Sequence, residues 1–108
     1  MLGPGKAELL ERIRDTGSIS AAGRQMDMSY KRAWMLVEEM NKAFTLPVVS
    51  SARGGSGGGG AHLTEAGEEV LRRYRAAEAA LRAATVEDVS ALQAMLRSSA
   101  VSDVSDGK

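Results

Sequence analysis

Tyr30, Lys31, Arg32 and Trp34 fall within five residues, directly after Ser29. Two cations and two amphipathic rings at the start of a helix can do one kind of chemistry well. Arginine makes a bidentate contact with guanine, and lysine reaches a base or a phosphate. The first turns of a helix are the part that meets base edges in the major groove of DNA. Ser29 supplies a capping hydroxyl, and the N–H groups behind such a cap suit a phosphate. Ser18, Ser20 and Arg24, one helix earlier, can add backbone contacts of the same sort. The competing reading is an ordinary surface helix with two solvated cations. Trp34 is open between packing and a contact with the DNA backbone. Packing is favoured, because a lone tryptophan is usually at least half buried.

A second set follows in Arg53-Gly-Gly-Ser-Gly-Gly-Gly-Gly-Ala61. Glycines lack a side chain that would clash with a phosphate, and their N–H groups are exposed donors. Arg53, Gly55, Ser56 and Gly57 can therefore meet the DNA backbone or minor groove from the tip of a hairpin. Gly55, Gly57 and Gly60 satisfy G-x-G-x-x-G, but in so glycine-rich a run the match carries little. The fingerprint needs a βαβ unit, and no parallel strand is available to follow. No Gly-Lys-Ser/Thr exists, which removes a P-loop. A plain linker and a small oxyanion-binding loop are the alternatives.

Nothing else is arranged for catalysis. Cysteine is absent, so disulfides, thiol catalysis and cysteine-based zinc sites are excluded. His62 is the single histidine and has no metal partners or nucleophile set around it. No paired carboxylates stand out. An enzyme is not expected, nor a cofactor or a metal. No apolar run approaches the roughly 18 residues a membrane span needs, so a cytoplasmic protein without a membrane partner is expected. Net charge is zero, an objection to nucleic-acid binding. The distribution answers it in part. Residues 1–62 hold eight Lys/Arg against six Asp/Glu, a balance of +2, and residues 63–108 hold six against eight, a balance of −2.

These side chains need elements to position them. At 108 residues and 44% hydrophobic, the chain can bury one compact core. After a loop-like start through Gly5, Ala7, Leu9, Leu10 and Ile13 predict a helix over 6–15 that Gly17 ends. Ser18 caps a second helix to about Met26, with Ile19, Ala22 and Met26 inward. Ala21, Ala22 and Gly23 are small and permit a close helix crossing. Asp27-Met28 makes the turn. Ser29 caps a third helix to about Phe44 with Ala33, Val37, Met40 and Phe44 as its buried stripe. Residues 46–50 and 61–64 read as two short strands around the glycine run, the first led by Pro47. Thr64 caps a fourth helix, 65–84. Thr85-Val-Glu-Asp88 resembles a capping box opening a fifth helix to about Arg97. Arg72, Arg73 and Arg75 read as a solvated face beside glutamates at helical spacing. Val70, Tyr74, Ala77, Leu81 and Ala84 form a heptad seam. Such a seam packs on its own core or dimerises. The length of helix beyond the core favours a dimer, with Val70, Tyr74, Ala77, Leu81, Leu92 and Leu96 at the interface.

The predicted architecture is mainly α with a small β-hairpin. It is a winged helix-turn-helix (1–64), then a helical dimerisation arm (65–98) made of a long helix and a further C-terminal helix, then a disordered tail (99–108). Gly17-Ser-Ile-Ser20, Ser29-Tyr-Lys31, Ala33-Trp34, Glu39-Met-Asn41 and Gly54–Ala61, followed by Leu63-Thr64 and Gly67, resemble the N-terminal DNA-binding domain of the ModE molybdate-responsive transcriptional regulators. The LysR-type regulators are a more distant likeness. The resemblance covers about residues 6–84. It implies a dimeric, sequence-specific DNA-binding regulator of bacterial type, with double-stranded DNA and a second copy as partners. The third helix would lie in the major groove and the wing at the backbone or minor groove. Ser18, Ser20, Ser29, Tyr30, Lys31, Trp34 and the 53–61 wing match the motif, whereas Arg32 rests on chemistry alone. ModE regulators carry molybdate on separate β-rich C-terminal domains. Nothing after Thr85 reads as strands, so molybdate binding is not expected here. Family members often have a strand ahead of the first helix, for which five residues leave little room. The rivals are a protein-interaction module that has lost DNA binding, and a small oxyanion-binding protein.

Overall fold

The computed structural model describes residues 2–52 and 60–96. The element order is α1 (Pro4–Thr16), α2 (Ile19–Gln25), α3 (Tyr30–Ala43), β1 (Val49–Ala52), β2 (Gly60–Leu63) and α4 (Glu65–Met95). α1 starts earlier than periodicity suggests. Pro4 stands at the head of the helix, where its fixed φ fits and its missing N–H costs nothing. Gly17 closes it at φ 71°, donating its N–H to the Ile13 carbonyl at 2.8 Å. α2 and α3 begin on the expected caps. Ser18 Oγ accepts the Ala21 N–H and Ser29 Oγ accepts the Arg32 N–H, both at 3.0 Å.

The α2–α3 turn pivots on Asp27 at φ 58°, a left-handed position that aspartate tolerates. The crossing is as close as the small residues allow. A Cβ on Gly23 would lie 2.8 Å from the Ala33 Cβ. Ala7, Leu9, Leu10, Ile13, Ile19, Ala22, Ala33, Val37 and Met40 fill the core between α1, α2 and α3, closed by Val48, Val49, Ala61, Leu63 and Leu71.

The hairpin is antiparallel, with Val49 opposite Leu63, Ser50 opposite His62 and Ala52 opposite Gly60. The first strand begins later than expected. Leu46 and Pro47 are exposed and lie before it. Proline cannot donate to a ladder, so it leads into the strand instead of joining it. Thr64 caps α4, its Oγ1 accepting the Gly67 N–H at 3.0 Å and donating to the Pro47 carbonyl at 2.6 Å.

The expected break at Thr85 is absent, and α4 is one helix of 31 residues. Thr85 Oγ1 donates to the Leu81 carbonyl at 2.7 Å, so the hydroxyl is satisfied inside the helix and caps nothing. Between Glu65 and Met95 the only residue that weakens a helix strongly is Gly67, and it sits in the first turn. The chain divides into two compact units, residues 1–75 and 76–108. The first includes the opening turns of α4, where Gly67 and Leu71 are buried. The described part of the second is helix as far as Met95, with Leu81, Val86, Val89, Leu92 and Met95 exposed on it and Leu96 exposed just after it. No helix among the described residues is long and apolar enough to cross a membrane. The tail, 99–108, lies outside them.

Candidate nucleic-acid interface

The site is built on α3. Its buried stripe, Ala33, Leu36, Val37 and Met40, is held by α1 and α2. A helix has about 3.6 residues per turn, so Lys31, Met35, Glu38 and Lys42 fall on the opposite side, and all are exposed. Tyr30, 63% exposed, and Arg32, also exposed, flank that outward row. Tyr30 meets Trp34 edge-on with ring centroids 6.1 Å apart. Trp34 is half buried against the core, and its Nε1 is enclosed with no hydrogen-bond partner among the described residues. Its geometry is that of a packing residue. The ring props Tyr30 while the indole N–H faces inward.

The preceding helix brings its candidates alongside. Ser18 is spent as a cap. Ser20 Oγ accepts from Arg24 Nη1 at 3.2 Å, which leaves the exposed guanidinium with most of its donors available. Arg53, Gly55, Ser56 and Gly57 lie outside the described residues. The strands on either side of them, β1 and β2, are described, and His62 stands exposed on β2.

Overall neutrality conceals a partition. On α1 and the first half of α4 the cations are paired. Arg12 is with Glu8 at 2.5 Å, Arg14 with Asp15 at 3.1 Å, Lys6 with Glu39 at 3.2 Å, and Arg72 and Arg73 are with Glu69. The Arg14 guanidinium is pushed above its ordinary pKa, chiefly by its hydrogen bond to Asp15. Arg75 is not the solvated residue expected from spacing. It forms a two-pronged bridge to Glu11 across 64 positions, at 2.9 and 2.7 Å. That hydrogen-bonded guanidinium holds the Glu11 carboxyl below its usual range. On the helix-turn-helix, Arg24, Lys31, Arg32 and Lys42 have no acidic partner among the described residues.

One positioning residue escaped the sequence reading. Asn41 Oδ1 accepts the N–H groups of Val48 at 2.8 Å and Val49 at 3.1 Å, and its Nδ2 donates to the Val49 carbonyl at 3.2 Å. This amide ties the last turns of α3 to the root of the wing. Only its place in the Glu39-Met-Asn41 motif hinted at it. Val70 and Tyr74, expected at a dimer seam, pack against the core of their own unit. Ala77, Leu81, Leu92 and Leu96 are exposed. A recess lined by Leu2, Met40, Ala43, Phe44 and Lys6 is apolar apart from Lys6, which Glu39 already pairs.

Residues 5–68 match the model of the bacterial regulatory helix-turn-helix proteins of the lysR family. Over 78 residues the chain is 50% identical to the molybdenum-pterin-binding protein MopB of Rhodobacter capsulatus, covering 72% of this chain and 29% of that protein. Over 71 residues it is 44% identical to the transcriptional regulator ModE of Yersinia pestis, covering 66% of this chain and 27% of that one. It thus spans under a third of the length of these relatives. The fold is similar to the CbnR DNA-binding domain solved as a DNA complex, with a TM-score of 0.63 and 18% identity over 83% of this chain and 99% of that one. A winged helix-turn-helix with this motif set and this family match has one assignment: the chain belongs to the lysR family of bacterial regulatory helix-turn-helix proteins.

Proposed function

We propose that this chain is the DNA-binding part of a ModE-type transcriptional regulator that acts as a homodimer. The observation that carries the reading is the exposure of Lys31, opposite the buried stripe of α3, and of Arg32 beside it, on the first turns of the helix and with no acidic partner among the described residues. Two cations kept clear of carboxylates are ready for phosphate and base edges without first breaking an ion pair. The likeness of the fold to a domain solved in complex with DNA supports DNA as the partner. In this reading α3 enters the major groove and the 53–61 loop flanks it. Arg24 and the capped N-termini at Ser18 and Ser29 position the backbone.

The arm supports the dimer. An arm that exposes Leu81, Val89, Leu92 and Leu96 gains by covering them with a second copy. Two recognition helices would then meet half-sites about 34 Å apart, or a multiple of that. Zero net charge favours a rival, an interaction module without DNA binding. A mobility-shift titration with genomic fragments at low salt separates the two. We expect a shift at submicromolar protein and a selected consensus that is palindromic. Arg32→Ala should cost about 1–3 kcal/mol at one position of that consensus, and Lys31→Ala should lower the salt slope by about 1 if it meets phosphate. No shift with any DNA at micromolar protein would refute the proposal and favour the rival.

A further inference from the structure

The geometry points to Met35 as a specificity-determining residue that reads the 5-methyl group of a thymine in the major groove. This rests on the function proposed above. Among the described residues of the first unit, the exposed large apolar side chains are Tyr30, Met35 and Leu46. Two of the three stand on the first turns of α3, beside its unpaired cations. Met35 is 44% exposed, one turn beyond Lys31 on the outward row and three residues after Arg32. A folded domain does not gain from an aliphatic thioether held toward water there, whereas a protein–DNA interface does.

The major-groove edge of a base pair offers hydrogen-bonding groups and a single apolar one, the thymine methyl. Methionine has no donor and only a weak sulfur acceptor, so it cannot use the polar groups well. Its flexible, polarisable chain suits the methyl. The row also sets how far α3 can engage. Glu38, one turn further, is exposed, and no ion pair or hydrogen bond of its side chain is present among the described residues. A bare carboxylate is repelled by phosphates, so close contact should end near Met35. Three residues of helix rise roughly 4.5 Å, against about 3.4 Å for a base-pair step. The thymine should therefore lie within about two steps of the position sensitive to Arg32→Ala.

The test uses the full chain and its selected binding site. Each thymine is replaced in turn by deoxyuridine, which lacks only the methyl. Native protein should weaken roughly fourfold at one thymine per half-site, the factor that burying one methyl group is worth, and hold elsewhere. Met35→Ala and Met35→Gln should bind thymine and uracil forms equally. Both are surface changes, and unaltered melting would show that they fold. Native binding that ignores every uracil substitution overturns the inference while leaving DNA recognition intact. So does a Met35→Ala protein that keeps the full sensitivity at the same base. Failure to bind any DNA overturns the function beneath it as well.

Discussion

Asn41 gives the sharpest stability test. Replacing it by alanine removes three hydrogen bonds at once, two accepted from Val48 and Val49 N–H and one donated to the Val49 carbonyl. Val48 is fully buried and Val49 is 4% exposed, so water replaces those partners poorly. At roughly 1 kcal/mol net per bond, more where a buried group stays unpaired, the loss should be about 2–4 kcal/mol. For a unit of this size that lowers the melting temperature by roughly 10–25 °C. Asn41→Asp keeps both acceptor bonds and loses the donor, so it should fall between alanine and native. Circular dichroism melting of the full chain measures both, with Trp34, the single tryptophan, as a local probe. An Asn41→Ala protein melting within about 3 °C of native would mean that the amide does not hold the wing root, and the reasoning would be refuted.

Two further outcomes follow from close approaches and charge. A Cβ on Gly67 would collide with the Val48 carbonyl, a backbone group that cannot swing aside as a flexible side chain could. Gly67→Ala should therefore destabilise by at least about 2 kcal/mol although alanine is the better helix former, and a denaturant titration reads it. If Gly67→Ala is as stable as native, α4 does not pack this tightly on the Val48 strand lead. The folded pKa of Glu11 is lowered by Arg75 from an ordinary value of 4.5, so its bridge contributes stability above that value and loses it as pH falls through the lowered one. With both side chains about a third exposed, the effect is at most about 1 kcal/mol. Glu11→Gln should be less stable than native near neutrality and converge with it in acid. Parallel stability curves across that range would remove the bridge from the account.

Much of the architecture is local and was therefore legible. The caps at Ser18, Ser29 and Thr64, the αL stop at Gly17 and the stripe Ala33–Val37–Met40 each depend on neighbours within about one turn. The cationic start of α3 could be read for the same reason. The apparent capping box at Thr85 misled because a threonine hydroxyl has two local partners. It can serve the N–H groups ahead of it or the carbonyl one turn behind, and nothing in four residues decides between them.

Periodicity and capping act over a few residues, and they already settle the order of the first helices, their inward faces and the helix that offers cations to a groove. The tertiary fold alone decided which of those cations remain available. Arg75 finds Glu11 and Lys6 finds Glu39 only after the chain has brought distant turns together. It also decided the wing's anchor at Asn41 and the need for glycine at 67. The Arg75–Glu11, Lys6–Glu39 and Gly67–Val48 meetings join groups far apart in sequence, and Asn41 reaches seven and eight residues on, across a turn whose path local spacing does not set.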